Sequence, residues 1–132
     1  MTMLHADITQ RVIKCFLSVY AELGGGFVES VYRKALLVAL LEEGLKARAE
    51  VSLKVMFRGQ VVGDFKADII VEDVVILELK AGSQLAGEHL AQLINYLKAS
   101  GIQVGLLANF GPKGMQHKRA EHPELFQRKD NG

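Results

Sequence analysis

Val12, Cys15, Phe16, Val19 and Leu23 recur three and four positions apart, which predicts an amphipathic helix over residues 7–23 with Asp7 as its N-cap. The triplet Gly24–Gly26 ends it. A second helix follows over 28–43, with Val31, Ala35, Val38 and Ala39, and stops at Gly44. The pattern then changes to alternation. "ARAEVSLKVMF" (47–57) and "VVGDFKADIIV" (61–71) predict two strands joined as a hairpin across Arg58–Gly59–Gln60. After the turn "EDV", "VVILELK" (74–80) is a third strand. Helical spacing returns over 85–99 through Leu90, Leu93, Ile94 and Leu97, and Gly101 stops it. "IQVGLLANF" (102–110) is a buried strand, parallel to the third because a helix connects them in a right-handed crossover. "MQHKRA" (115–120) predicts a short edge strand, and the basic C-terminal tail is expected to be flexible.

The order is an α/β arrangement, a mixed sheet flanked by helices. With 132 residues, 49% apolar and 23% charged, the chain is expected to form one domain over 1–132, with its core at about 10–120. Cys15 is the only cysteine, which excludes an intrachain disulfide and a cysteine-based zinc cluster. No run resembles a signal peptide or approaches the roughly 20 apolar residues of a membrane span. A cytoplasmic setting without membrane association is therefore expected. The net charge of +1 neither demands nor excludes nucleic acid.

Charged residues inside apolar strands carry the chemistry. By alternation, Asp64, Lys66 and Asp68 share one face and Phe65, Ala67 and Ile69 the other. In "VVILELKAG", Glu78 and Lys80 share a face opposite Leu77 and Leu79. Neighbouring strands put Asp68 and Glu78 at similar depth. Two carboxylates that close repel, and so hold a proton or a cation. Mg²⁺ takes such oxygen ligands together with waters and phosphate oxygens. A lysine beside them can neutralise phosphate charge or assist a water. The alternative is a salt bridge of Lys80 with Asp68 or Glu78 on a solvated face.

Asp68, a ten-residue step to Glu78-x-Lys80, and a preceding helix with an acid together resemble the PD-(D/E)xK nuclease superfamily. "GGFVESVYRKAL", with Gly26, Glu29 and Tyr32, resembles the signature of the GxxExxY protein family. The likeness continues through "FKADIIVED", "VILELKA" and "HLAQLINYLKASGIQVGLLANFG", covering about residues 10–120. Two departures stand out: Ala67 replaces the superfamily's proline, and Lys66 stands where arginine is commoner. The resemblance implies a restriction-endonuclease-like core, αβββαβ. It implies Asp68, Glu78 and the backbone carbonyl of Leu79 as metal ligands, with Glu29 reaching the same metal directly or through water, and Lys80 as the catalytic lysine. The Gln-x-x-x-Tyr pair, Gln92 and Tyr96, would look towards the site, with Gln92 orienting Lys80 or the water.

Three further residues are open. Tyr32 is equally a core aromatic or a supporting site residue, and Arg33 shares its helical face as a surface residue. His89 lies on one face with Gln92 and Tyr96 and is either an ordinary surface histidine or a ligand. The function implied is hydrolysis of phosphodiester bonds in nucleic acid, DNA foremost, with Mg²⁺ or Mn²⁺ as cofactor. The competing reading is a non-catalytic module of the same fold, acting in a larger assembly with a protein partner or as a homo-oligomer.

Overall fold

The computed structural model describes residues 3–122. It runs α1 (Ala6–Leu23), α2 (Glu29–Glu42), β1 (Ala47–Phe57), β2 (Gln60–Val71), β3 (Val75–Lys80), α3 (Gly87–Ser100), β4 (Val104–Phe110) and β5 (Met115–Glu121). The expected αβββαβ core is thus α2 through β4, preceded by α1 and followed by the edge strand β5. The expected flexibility of the C-terminal tail falls on residues 123–132, outside the described residues. His5, at a left-handed φ of 52°, caps α1. Asp7 lies inside the first turn, where its charge suits the helix dipole instead. Gln60, expected in the hairpin turn, already pairs with Phe57, so the turn is Arg58–Gly59 with both φ positive.

The sheet order is β1-β2-β3-β4-β5, antiparallel except for the parallel pair β3–β4. The α1 stripe (Val12, Cys15, Phe16, Val19) packs with Tyr32, Leu36 and Leu40 of α2 on one face of the sheet. On the other face, Leu93, Tyr96 and Leu97 of α3 cover Ile70, Ile76 and Leu107. With helices on both faces, β3 and β4 lie in the middle layer, and β4 is buried along its whole length. Gly105 of β4 makes room for α3: a Cβ there would lie 2.7 Å from a methyl of Leu93.

The hairpin β1–β2 outruns the sheet. Its pairing extends from Ala47–Val71 to Phe57–Gln60 with interruptions, yet β2 meets β3 only at Ile69, Ile70 and Val71. Beyond that point it forms an arm over α3, with Leu53, Phe65 and Ala67 packed in the α3-side core. Simple alternation puts Phe65, Ala67 and Ile69 on one face, but Ile69 belongs to the α1/α2 side. The change of face coincides with an interruption of β1–β2 pairing at Glu50 and Asp68, where Glu50 takes a left-handed φ of 53°. Among the described residues, no helix is long and apolar enough to cross a membrane.

Candidate active site

Continuing the β2–β3 register of Ile69–Leu77, Ile70–Ile76 and Val71–Val75 by one step sets Asp68 against Glu78. No ladder bond joins them. Instead the Asp68 amide donates to Glu78 Oε1 at 3.0 Å, and the Leu79 amide donates to Asp68 Oδ2 at 2.7 Å. Each carboxylate therefore satisfies a main-chain donor of the other strand as the two strands part. Among the described residues, Asp68 Oδ1 and Glu78 Oε2 have no protein donor.

Glu78 is only 4% exposed, because β3 is covered on both faces. Burial first, and then the negative charge of Asp68, pushes its pKa up from 4.5 to about 8, against the Asp68 amide bond and the charge of Lys80. At neutral pH, without a cation, Glu78 holds a proton. Tyr96 lies close enough to feel the pair: its pKa is raised by burial and then by Glu78 and Asp68.

Lys80, two residues beyond Glu78, donates to Gln92 Oε1 of α3 at 3.4 Å. No ion pair joins Lys80 to Asp68 or Glu78 among the described residues. Buried Glu78 also rules out the solvated strand face of the salt-bridge reading. Asp68, Glu78, Lys80, Gln92 and Tyr96 thus gather where the β2–β3 ladder opens towards α3.

Other candidates lie elsewhere. Glu29 is exposed at the start of α2, whose buried residues pack on the opposite face of the sheet. Among the described residues, no three His, Cys, Asp or Glu side chains form a group able to hold a metal, so Glu29 does not join Asp68 and Glu78. The structure brings Asp68 and Glu78 into contact as a pair; a reach from Glu29 to the same metal would pass through water. Tyr32 is fully buried, stacked on Phe110 at 4.6 Å, and its hydroxyl donates to Gly24 O and accepts from the Phe27 amide. It ties the glycine loop to the core on the α1/α2 side. Arg33 pairs with Glu50 at 3.7 Å. His89 accepts the Ala86 amide on Nδ1 at 3.1 Å, closing the N-terminus of α3. Cys15 is in the core, as expected.

Two residues escaped the sequence reading. Asn109, buried in β4 and in register with Lys80, accepts from the Gly82 amide at 2.9 Å and donates to the Gly82 carbonyl at 3.0 Å. It clasps the chain just after Lys80, where the strand ends. An amide inside the otherwise apolar "VGLLANF" was its signal. Glu50, at the interruption of β1–β2 pairing beside Asp68, faces solvent and pairs with Arg33.

A divalent cation suits the oxygens available here: two carboxylates at one register, each with an oxygen free of protein donors. Repulsion within the pair, which now costs Glu78 its charge, is the condition a cation relieves.

Residues 6–121 match the PD-(D/E)XK nuclease superfamily. No curated protein matches the chain. Among solved structures, the crystal structure of SSO0001 is similar with a TM-score of 0.57 and 19% identity, over 78% of this chain and 56% of that one. The chain therefore spans little more than half of that protein. An alkaline exonuclease, LHK-Exo from Laribacter hongkongensis, is similar with a TM-score of 0.46 and 10% identity, over 98% of this chain and 77% of that one.

Proposed function

The chain belongs to the PD-(D/E)XK nuclease superfamily, and from that membership we propose that it is a divalent-metal-dependent nuclease of the GxxExxY kind that hydrolyses phosphodiester bonds, with DNA as substrate. The observation that carries this reading is the Asp68–Glu78 pair where β2 and β3 part, with Lys80 one alternation further and tethered to Gln92.

Asp68, Glu78 and the Leu79 carbonyl would hold the cation, Mg²⁺ or Mn²⁺. When bound, the ion supplies Lewis-acid polarisation of the scissile phosphate and lowers the pKa of a water. Lys80 places a positive charge where phosphate charge develops in the transition state. Gln92 fixes the direction of that ammonium, and Tyr96 walls the site on the α3 side. Glu29 is left a part at most through solvent.

One observation favours a second reading, the non-catalytic module: both acids already have main-chain donors without any cation, and among the described residues no third acid joins them. A nuclease assay separates the two. Wild type and Glu78→Gln are incubated with single-stranded, double-stranded and branched DNA and with RNA, in Mg²⁺, Mn²⁺ or chelator. The enzyme reading expects metal-dependent cleavage by the wild type alone. Cleavage absent from every substrate, or unaltered in Glu78→Gln, overturns it.

A further inference from the structure

The arm and α3 flank an open cleft of about 500 Å³, lined by Lys54, Met56, Val62 and Phe65 from the arm and Asn95 and Lys98 from α3. We propose that this cleft is a subsite for one unpaired nucleotide of the substrate, a few phosphates from the scissile bond, with its base in the slot and its phosphates on Lys54 and Lys98. The proposal rests on the nuclease reading and deepens it.

Three features of the cleft select this occupant. The first is charge: Lys54 and Lys98 are exposed, and no carboxylate lines the cleft with them. Neither lysine forms an ion pair among the described residues. A polyanion complements that surface. A second copy of the chain, bringing its own two lysines to the same slot, does not.

The second is shape and polarity. Met56 and Val62 are 55% and 62% exposed, large apolar surfaces left uncovered beside an amide, Asn95. A base offers a flat apolar face together with hydrogen-bonding edges, which an apolar slot with one amide matches. In a duplex that face is covered by its stacked neighbours, so the slot selects an unpaired nucleotide.

The third is continuity with the acids. Phe65 packs against Tyr96 at 5.5 Å between ring centroids, and Tyr96 borders the Asp68–Glu78 pair. Asn95 stands one helical turn beyond Gln92, the partner of Lys80. Phe65 precedes Asp68 by three residues of β2, roughly 10 Å along a strand.

The test is an abasic scan in chelator, so that binding is read without cleavage. Labelled single-stranded DNA of about 12 nucleotides, enough to span such a groove, carries one abasic position walked along its length. Wild type is expected to lose about tenfold in affinity at one or two adjacent positions, the scale of one base stacked on a protein side chain. In Val62→Ser/Asn95→Ala, both at exposed positions, that position-specific loss shrinks below about twofold, as coupling between base and slot requires. Lys98→Gln weakens binding evenly across positions and lowers its salt dependence.

A flat scan in the wild type, or a loss that persists unchanged in the double variant, overturns the subsite. If the wild type cuts nucleic acid while its scan is flat, the subsite falls and the nuclease reading stands. If it neither binds nor cuts any nucleic acid, both fall. Self-association that Val62→Ser abolishes puts a second copy in the slot and likewise overturns the proposal.

Discussion

Asp68 and Glu78 occupy the same register of β2 and β3, yet they are joined by their side chains and not by the ladder. The Asp68 amide bonds Glu78 Oε1 at 3.0 Å while the Leu79 amide bonds Asp68 Oδ2 at 2.7 Å. This exchange holds two carboxyl groups side by side in a covered part of the sheet, where Glu78 keeps its proton. Its consequences can be measured with and without metal.

The first consequence is a pH dependence of stability. Glu78 has a pKa of about 8 in the fold against an ordinary 4.5. Between those values the folded chain keeps a proton that the unfolded chain has lost, so stability falls as pH rises. The fall levels off above about pH 8. Within that window each step of one pH unit removes about 1.4 kcal/mol at most, and a total decline on the order of a few kcal/mol is expected in chelator. Urea midpoints from pH 5 to 9 measure it, and Glu78→Gln should remove most of the slope. An equally sloped Glu78→Gln curve would refute the assignment to this residue.

Metal should act in the opposite sense. Binding displaces the Glu78 proton, so Mn²⁺ affinity should rise by up to about tenfold per pH unit below pH 8 and then level off. At a hundredfold excess over Kd, the ion should stabilise the fold by about 2.7 kcal/mol. Asp68→Asn keeps an acceptor for the Leu79 amide while removing the repulsion. Its metal-free form should melt no lower than the wild type, with the Mn²⁺ response gone. A melting temperature of wild type indifferent to millimolar Mn²⁺ would favour the scaffold reading.

Tyr32 and Gln92 should separate in their effects. Tyr32→Phe loses two hydrogen bonds, to Gly24 O and from the Phe27 amide, and should destabilise by about 1–3 kcal/mol while leaving the Mn²⁺ response unchanged. Gln92→Ala, at an exposed position, should leave stability nearly intact. Releasing Lys80 should lower kcat by about tenfold or more, since small misplacements of a catalytic group cost that much. Thermal melts and cleavage rates on the same preparations distinguish the two.

The sequence made the strands and helices legible because their apolar periods are long and uninterrupted. It also brought Asp68 and Glu78 together, since a short turn leaves hairpin strands few other registers. It left the distance of Glu29 from the pair open for a physical reason. Helical periodicity gives the face of α2 but not the layer of the sheet on which that face packs, and α2 packs opposite α3. It failed at Ile69 and Phe65 because alternation assumes a flat strand, whereas β2 changes face at Asp68. Asn109 stood out only as an amide in an apolar strand, and its partner, the main chain of Gly82, leaves no trace in residue types.

The missing side chain of Gly105 has a consequence for tolerance to change. A Cβ there would sit 2.7 Å from Leu93 Cδ1 and 3.0 Å from Leu93 Cγ, so Gly105→Ala must push α3 outwards or turn Leu93 from its fully buried seat. Gln92 precedes Leu93 on the same helix, and its bond to Lys80 is already 3.4 Å long, near the limit of such contacts. A displacement of a few tenths of an ångström would disengage the two. Positions 105 and 93 therefore work as a single fit with almost no clearance. Trimming the larger partner, as in Gly105→Ala/Leu93→Val, should recover activity that Gly105→Ala alone loses.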